Sequence, residues 1–442
     1  MKKDINILSI TLFVSAFALL CSMSVHAQVG YDVENEAAAV YNAEEEANED
    51  PIANADDIDM PTGLTDELDH LLLEWNNRNY LVPSDDCTDT GINPEFDKET
   101  IINRLQQLPN VIEMPYNDVV RKFIDQYTGR LRRTVSIMLG ANTFYSHIFE
   151  EALAAYQLPL ELKYLPVIES ALDPTAVSRA GAVGLWQFII STGKSYGLEI
   201  TSLIDERRDP IRSSYAAARY LRDLYTIFGD WSLVLAAYNC GPGNVHKAIA
   251  RSGGQRDYWR IYPYLPRETR GYVPAFIAAN YAMTYYSEHG ICPMGTLLPV
   301  STDTLHIHRN LHFTQISELC NVNPEEIRAL NPQYKTGLIP GEGRECILRL
   351  PTAAISTFIE WGDSVYLHRA DELINRRRET VVADDVKGRG GRHRGGTKYI
   401  TVRRGETLGS IARRYGTTVA RLRSLNGIRG NNVRAGRKLR VR

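Results

Sequence analysis

From about Pro94 to His289, apolar residues return at steps of three and four, and no stretch alternates in the way a half-buried strand does. This period demands helices packed on helices and excludes a sheet as the core of that region. The spacing predicts helices over Asn117–Leu131, Asn142–Tyr156, Pro159–Leu172, Ile211–Phe228, Ser232–Tyr238 and Tyr272–Glu288, separated by short loops containing Gly, Pro and Asn. One position breaks the pattern. Leu158, Leu162, Leu165 and Leu172 form a single stripe, and the place between Leu165 and Leu172 that completes it is held by Glu169. A carboxylate on such a stripe costs several kcal/mol to bury unless it is stabilised or protonated.

Two readings of Glu169 follow. It can sit at a helix boundary, where Pro166 weakens a regular helix, and pair with Lys163 or Arg179. Alternatively it is a carboxylic acid held in an apolar wall, protonated near neutral pH and able to give a proton and take it back. The residues downstream favour the second. The segment SRAGAVGLWQF, Ser178 to Phe188, supplies close-approach glycines, an aromatic face in Trp186 and a two-way hydrogen-bonding group in Gln187. AAYNCGPGNV, Ala236 to Val245, puts Tyr238 and Asn239 at a helix end before a Gly-Pro-Gly turn, and RETRGYVPAF starts a helix near Tyr272. Taken singly, these are an ordinary helix C-cap and an ordinary core tyrosine.

In this order and spacing, Glu169-Ser170, SRAGAVGLWQ, AAYNCGPGN and ETRGYVPAF resemble the catalytic domain of soluble lytic transglycosylases. These are the goose-type-lysozyme-like enzymes of glycoside hydrolase family 23 that cut peptidoglycan. LPLELKYLPVIES and LWQFIISTGKSYGL are similar to the membrane-bound type D branch, and the resemblance spans most of residues 100–290. It implies a lysozyme-like helical domain over 94–295 with Glu169 as sole catalytic acid and base. Ser178 and Gln187 would bond the N-acetylated sugars, Tyr238 would orient the glutamate, Asn239 would hold the substrate and its transition state, and Tyr272 and Trp186 would complete the substrate site. No cofactor is implied, and no Cys/His spacing suggests a metal site.

Most glycosidases use two carboxylates. A transglycosylase needs one, because the sugar's own C6 hydroxyl attacks C1 and closes a 1,6-anhydro ring in place of water. Asp173, Asp205 and Asp209 are the candidates for a second carboxylate, and with one of them the enzyme would be a hydrolytic, lysozyme-like muramidase. A third reading is a non-catalytic peptidoglycan-binding scaffold, against which stands the full set of site residues.

The C-terminal third repeats. Leu305–Pro332 aligns without gaps on Ile400–Gly427, matching Leu305 with Ile400, Ile307 with Val402, Phe313 with Leu408, Ile316 with Ile411, Ile327 with Leu422, and Asn331 with Asn426. Each copy reads as a small βααβ module. The second, over 398–442, resembles a LysM module, a binder of N-acetylglucosamine chains. The resemblance implies Gly405, Glu406, Thr407 and Leu408, with Asn426, Gly427, Ile428 and Arg429, as glycan contacts. In the first, over 300–352, Asn310, Leu311 and His312 replace Gly-Glu-Thr, so it reads as a degenerate LysM-like module that Cys320 and Cys346 are candidates to staple. Residues 353–397 read as a linker, Gly- and Arg-rich at its end.

The ends differ in charge. Gln28 to Glu99 carries roughly ten acids per base, and Lys387 to Arg442 has Glu406 as its only acid. Residues 28–93 read as an acidic, flexible or partly helical tether. Residues 1–27 read as a secretory signal: Lys2 and Lys3, an apolar run from Ile5 to Leu20, and a small-x-small site at Val25-His26-Ala27. Leu20 stands before Cys21 where lipoprotein cleavage needs a small residue, which argues against a lipid anchor. The expected place is the periplasm or cell envelope, with wall or outer-membrane association. Peptidoglycan glycan strands are the expected partner. The basic C-terminus invites a nucleic-acid reading, but export opposes it and no nucleic-acid partner is expected. Five cysteines follow the signal (Cys87, Cys240, Cys292, Cys320, Cys346), so at least one is left out of any intrachain pairing.

Overall fold

The computed structural model describes residues 81–82, 87, 91–296, 298–299, 301–374, 399–402, 407–415, 417–428, 430 and 436–441. The signal, most of the acidic tether, residues 375–397 of the linker, Lys398, Gly405, Glu406 and Arg429 lie outside the described residues.

The first region is helical, as its period requires. A two-residue strand β1 (Leu81–Val82) precedes α1 (Lys98–Gln107), α2 (Asp118–Thr128), α3 (Arg132–Ala155), a 3₁₀ turn (Leu160–Tyr164) and α4 (Leu165–Ser170). There follow α5 (Ile190–Ser195), α6 (Pro210–Phe228), α7 (Trp231–Cys240), α8 (Pro242–Arg251), the short α9 (Tyr258–Ile261) and α10 (Arg267–Arg270), and α11 (Tyr272–Thr284). Side-chain caps set many of the starts: Asp97, Asn117, Asp209, Asp230 and Asp257 each accept a backbone N–H of the first turn. The helix expected from Asn142 begins at Arg132, because burial of Val135, Ile137 and Met138 outweighs the weak helix propensity of that β-branched stretch. Helices α1, α5, α8, α9 and α10 were absent from the expected set.

Helix α11 is the hub. Every residue from Tyr272 to Met283 is buried, so it has no polar face and must run through the interior. It packs against α2, α7 and α4. Strand β2 (Gly295–Thr296) pairs antiparallel with β1, and the Cys87–Cys292 disulfide closes the same edge.

The first module contains β3 (Thr302–Ile307), β4 (Asn310–His312), α12 (Phe313–Cys320), α13 (Pro324–Leu330), β5 (Leu338–Pro340) and β6 (Cys346–Pro351). β3 pairs antiparallel with β6, giving the expected βααβ frame, and the extra ladder β4–β5 joins its two loops. The module does not stop at 352. Helices α14 (Thr352–Trp361), α15 (Asp363–Leu367) and α16 (Ala370–Leu373) continue the chain, and Ala354, Phe358 and Val365 enter the module's core. Nearly the first half of the expected linker is therefore structured. The expected Cys320–Cys346 staple does not form; both are buried thiols, as is Cys240.

The C-terminal unit has the same frame: β7 (Tyr399–Thr401), α17 (Leu408–Arg414), α18 (Val419–Asn426) and β8 (Lys438–Arg440), with β7 antiparallel to β8. The repeated Asn has one structural role in both copies. Asn331 Nδ2 donates to the carbonyls of Ile327 and Arg349, and its Oδ1 accepts from Arg349 N. Asn426 makes the same three bonds to Leu422 and Arg440. Each clamps the end of the second helix to the last strand. Asn331→Ala strands three backbone groups of a buried site, and we expect it to lower the module's unfolding free energy by about 2–4 kcal/mol in a urea melt.

Candidate active site

Glu169 sits in the last turn of α4, which ends at once: Ala171 and Leu172 both take left-handed backbone, with φ of 47° and 65°. The reversal is pinned by Ser170, fully buried, whose hydroxyl lies 3.1 Å from the Pro166 carbonyl and 3.0 Å from the Leu185 carbonyl. The helix bearing the acid is thereby tied to the loop bearing Ser178 and Gln187.

The carboxyl of Glu169 is half-buried and accepts a short hydrogen bond from the Tyr272 hydroxyl at the head of α11. Desolvation raises its pKa, the Tyr272 bond lowers it, and the nearby Glu268 raises it again, leaving it at about 8. Burial beside that carboxyl holds the Tyr272 phenol well above its ordinary pKa, so it remains a donor. Lys163, a suggested ion-pair partner, instead pairs with Glu150 at 2.6 Å. Glu169 is the raised acid of the two readings.

The other expected residues divide. The Tyr238 hydroxyl donates to the Trp186 carbonyl at 2.7 Å, so the contact that orients Glu169 belongs to Tyr272 and Tyr238 holds the loop. Asn239 Oδ1 accepts from Thr269 Oγ1 at 2.8 Å, which turns the donor end of the amide away from Thr269. Ser178 Oγ accepts from Ala182 N, leaving its proton to give. Gln187, with φ of 48°, donates to the Gly184 carbonyl at 2.8 Å. Trp186 is not a sugar platform. It is fully buried, edge-on to Phe149, and its Nε1 donates to Ser214 Oγ at 2.9 Å. Sequence reasoning missed Ser170, Thr269 and Ser214, whose partners lie 15, 30 and 28 residues away.

The candidates for a second carboxylate are engaged. Asp173 Oδ1 accepts from both N and Oγ1 of Thr175 at 2.7 Å, a local turn. Asp205 forms a buried pair with Arg207 at 2.8 Å, and Asp209 caps α6. In the C-terminal unit, Leu408 is core, Asn426 is the clamp, Gly427 (φ 63°) ends α18 and Ile428 packs on the core. Thr407 exchanges bonds with Ser410 at the start of α17. Among these five described glycan candidates, Thr407 and Gly427 are exposed, Asn426 and Ile428 are partly exposed and Leu408 is buried.

These features define a class: a lysozyme-like helical domain built around a half-buried carboxyl whose pKa is raised by desolvation, followed by βααβ modules. The Transglycosylase SLT domain model matches residues 146–261, the "Lytic transglycosylase MltD, LysM-like domain" model matches 301–367, and the LysM domain model matches 400–442. The chain is 30% identical over 332 residues to the membrane-bound lytic murein transglycosylase D of Escherichia coli K12, covering 74% of this chain and 70% of that protein. It is 35% identical over 158 residues to the membrane-bound lytic murein transglycosylase F of Maricaulis maris, covering 33% and 30% of the two chains. The structure of the 70 kDa soluble lytic transglycosylase of Escherichia coli aligns with TM-score 0.28 and 29% identity over 33% of this chain and 24% of that one. The chain belongs to the lytic murein transglycosylase family, and it is a peptidoglycan-cleaving enzyme with LysM modules.

If the acid form of Glu169 acts first, kcat/KM falls as pH rises through about 8. Tyr272→Phe deletes a bond that favours the anion, so we expect this alkaline limb to move to higher pH and kcat to drop at least about tenfold. A pH–rate profile of both proteins checks the sign.

Proposed function

We propose that Glu169 alone performs both proton transfers of a non-hydrolytic cleavage at the β-1,4 bond between N-acetylmuramic acid and N-acetylglucosamine. As an acid it protonates the bridging oxygen, and the C1–O bond breaks while the neighbouring acetamide stabilises the developing cation. As the resulting carboxylate it takes the proton of the C6 hydroxyl, whose oxygen bonds to C1. The product ends in 1,6-anhydro-N-acetylmuramic acid, water is not consumed, and Glu169 regains its proton. What supports this reading is the Glu169 pKa, raised by burial to about 8, which suits both steps; Asp173, whose carboxyl pKa burial also raises, is held in a local turn by Thr175, Asp205 is paired with Arg207 and Asp209 caps α6.

Tyr272 fixes the carboxyl, while Ser178, Gln187 and the amide nitrogen of Asn239 bond the acetamido groups of the sugars beside the cut. The LysM unit at 400–442 holds the enzyme on glycan strands. The protein works in the envelope, outside the cytoplasm: the family's substrate is there, and the residues 1–27 read as an export signal. Among the described residues no helix is long and apolar enough to cross a membrane.

The test is mass spectrometry of soluble products from purified sacculi. Wild-type protein lacking residues 1–27 is expected to release 1,6-anhydro ends, and Glu169→Gln to lower release about 10³-fold without loss of folding. Ordinary reducing ends would mean that water attacks and the hydrolytic reading is correct. Deleting 398–442 is expected to weaken retention on sacculi more than turnover of soluble fragments, measured by pelleting and by product release.

A further inference from the structure

The 301–367 module carries the βααβ frame of a glycan binder, yet the space between its two loops is shut. β4 and β5 pair directly, Leu311 opposite Ile339, so the loops after β3 and before β6 are bonded to each other. At Gly341 a Cβ would stand 2.6 Å from the Arg309 carbonyl oxygen and 2.9 Å from that of Ile307. Backbone there lies on backbone, and no sugar ring fits between.

The module's free edge is used on the catalytic domain instead. Asp205 N donates to the Gln333 carbonyl and Lys335 N to the Leu203 carbonyl, both at 2.9 Å, so 203–205 pairs antiparallel with 333–335. Ile204 is only 4% exposed and belongs to the module's core, not to its own domain's. Glu199 and Arg344 form an ion pair across the same seam.

From that seam a chain of buried contacts leads to the substrate loop. Asp205 holds Arg207 in a two-point pair, Nε at 2.9 Å and Nη2 at 2.8 Å, with both side chains 5% exposed. The remaining Nη1 donates to the carbonyls of Gly181 and Phe188 at 3.1 and 3.0 Å. Those residues bracket the turn that begins after Ser178 and ends beside Gln187. The two loops also touch at Gly184, where a Cβ would lie 1.9 Å from the Arg207 carbonyl oxygen.

We propose that the 301–367 module serves the reaction as a brace: it holds 203–205 and, through the Asp205–Arg207 pair, sets the position of Ser178 and Gln187, with Arg207 as a positioning residue. The module does not itself hold glycan. This rests on the reading of Ser178 and Gln187 as sugar-binding groups.

The test uses the chain lacking residues 1–27 and steady-state kinetics on soluble, uncrosslinked GlcNAc–MurNAc fragments, with sacculus pelleting alongside. Ile204→Asp puts a charge into the module's core and opens the seam. Arg207→Lys keeps the charge opposite Asp205 but loses the planar fork that reaches both carbonyls. Each is expected to raise KM about tenfold while leaving the alkaline limb of the pH profile in place, because the Glu169 pKa is set by burial, Tyr272 and Glu268 and not by the Gly181 and Phe188 carbonyls that Arg207 holds. The double variant is expected to be no worse than the stronger single, since both break one chain. Glu199→Arg, at a half-exposed position, tests the seam without burying a charge. It is expected to raise KM, and adding Arg344→Glu is expected to restore it.

The proposal is overturned if Ile204→Asp and Glu199→Arg leave KM for soluble fragments within about twofold while sacculus binding falls, which would make the module a glycan holder. KM effects that multiply in the double variant would also overturn it. An inactive wild type would instead remove the underlying site reading, a result distinct from an active wild type whose KM ignores the seam.

Discussion

The short bond from Tyr272 to Glu169 is the contact on which the site depends, and it is a consequence of helix burial. α11 has no polar face, so the interior is the only place for it, and its first residue arrives beside the acid with its position already fixed by the packing of the other eleven buried residues. Glu169 is thereby caught between opposing influences. Burial and Glu268 favour the neutral acid, and the Tyr272 donor favours the anion. A fully apolar pocket would yield an acid that cannot act as a base, and a fully solvated one an acid already ionised at neutral pH. The balance near 8 lets one group fill both roles.

Holding a carboxyl half out of water also requires the chain to stop being helical just after it. No glycine is available for the turn: Ala171 and Leu172 adopt left-handed backbone themselves, a conformation disfavoured for residues with a Cβ. The surrounding structure imposes it, since Leu172 is fully buried and Ser170 is bonded on to Leu185. The local strain and the partly dehydrated acid fall within four consecutive residues, and packing elsewhere in the domain has to outweigh both.

Much of this was legible in the sequence. The period of the leucine stripe exposed Glu169 as misplaced, and the same period identified the principal helices. The starts expected at Asn117 and Ile211 lie within a residue of those observed, where Asn117 and Asp209 prove to be the caps. What failed were questions of partner. Trp186 lies in a glycine-rich loop, and its residue type suits a sugar face or a core equally; Ser214 on α6, 28 residues on, settles it as core. Tyr238 and Tyr272 are chemically equivalent candidates to orient the acid, and only the route of α11 through the interior chooses between them. Leu408 is a core side chain and Asn426 a helix–strand clamp, roles that long-range packing gives them and residue type in a motif does not disclose. Helices α14 to α16 were lost because the repeat ends at β6, although Phe358 and Val365 complete the first module's core.

The two copies show how a repeated frame can keep its mechanics and change its use. Asn331 and Asn426 make the same three bonds, so the clamp between second helix and last strand is indifferent to what the loops do. The loops are where the first copy diverges. Where the second copy's sequence has Gly-Glu-Thr, Asn310, Leu311 and His312 form strand β4, and Leu311 is fully buried opposite Ile339. A loop that pairs with its neighbour no longer has backbone to offer a ligand, but it makes the module rigid at the side where Gln333, Tyr334 and Lys335 meet the catalytic domain. Rigidity has value next to a site with one acid. In the proposed one-acid cleavage, where the sugar's own hydroxyl attacks, the geometry of attack rests on how the sugars themselves are held, and hence on the groups of the substrate loop. A module anchored to residues 203–205, one buried ion pair from that loop, stands where such stiffness is most effective.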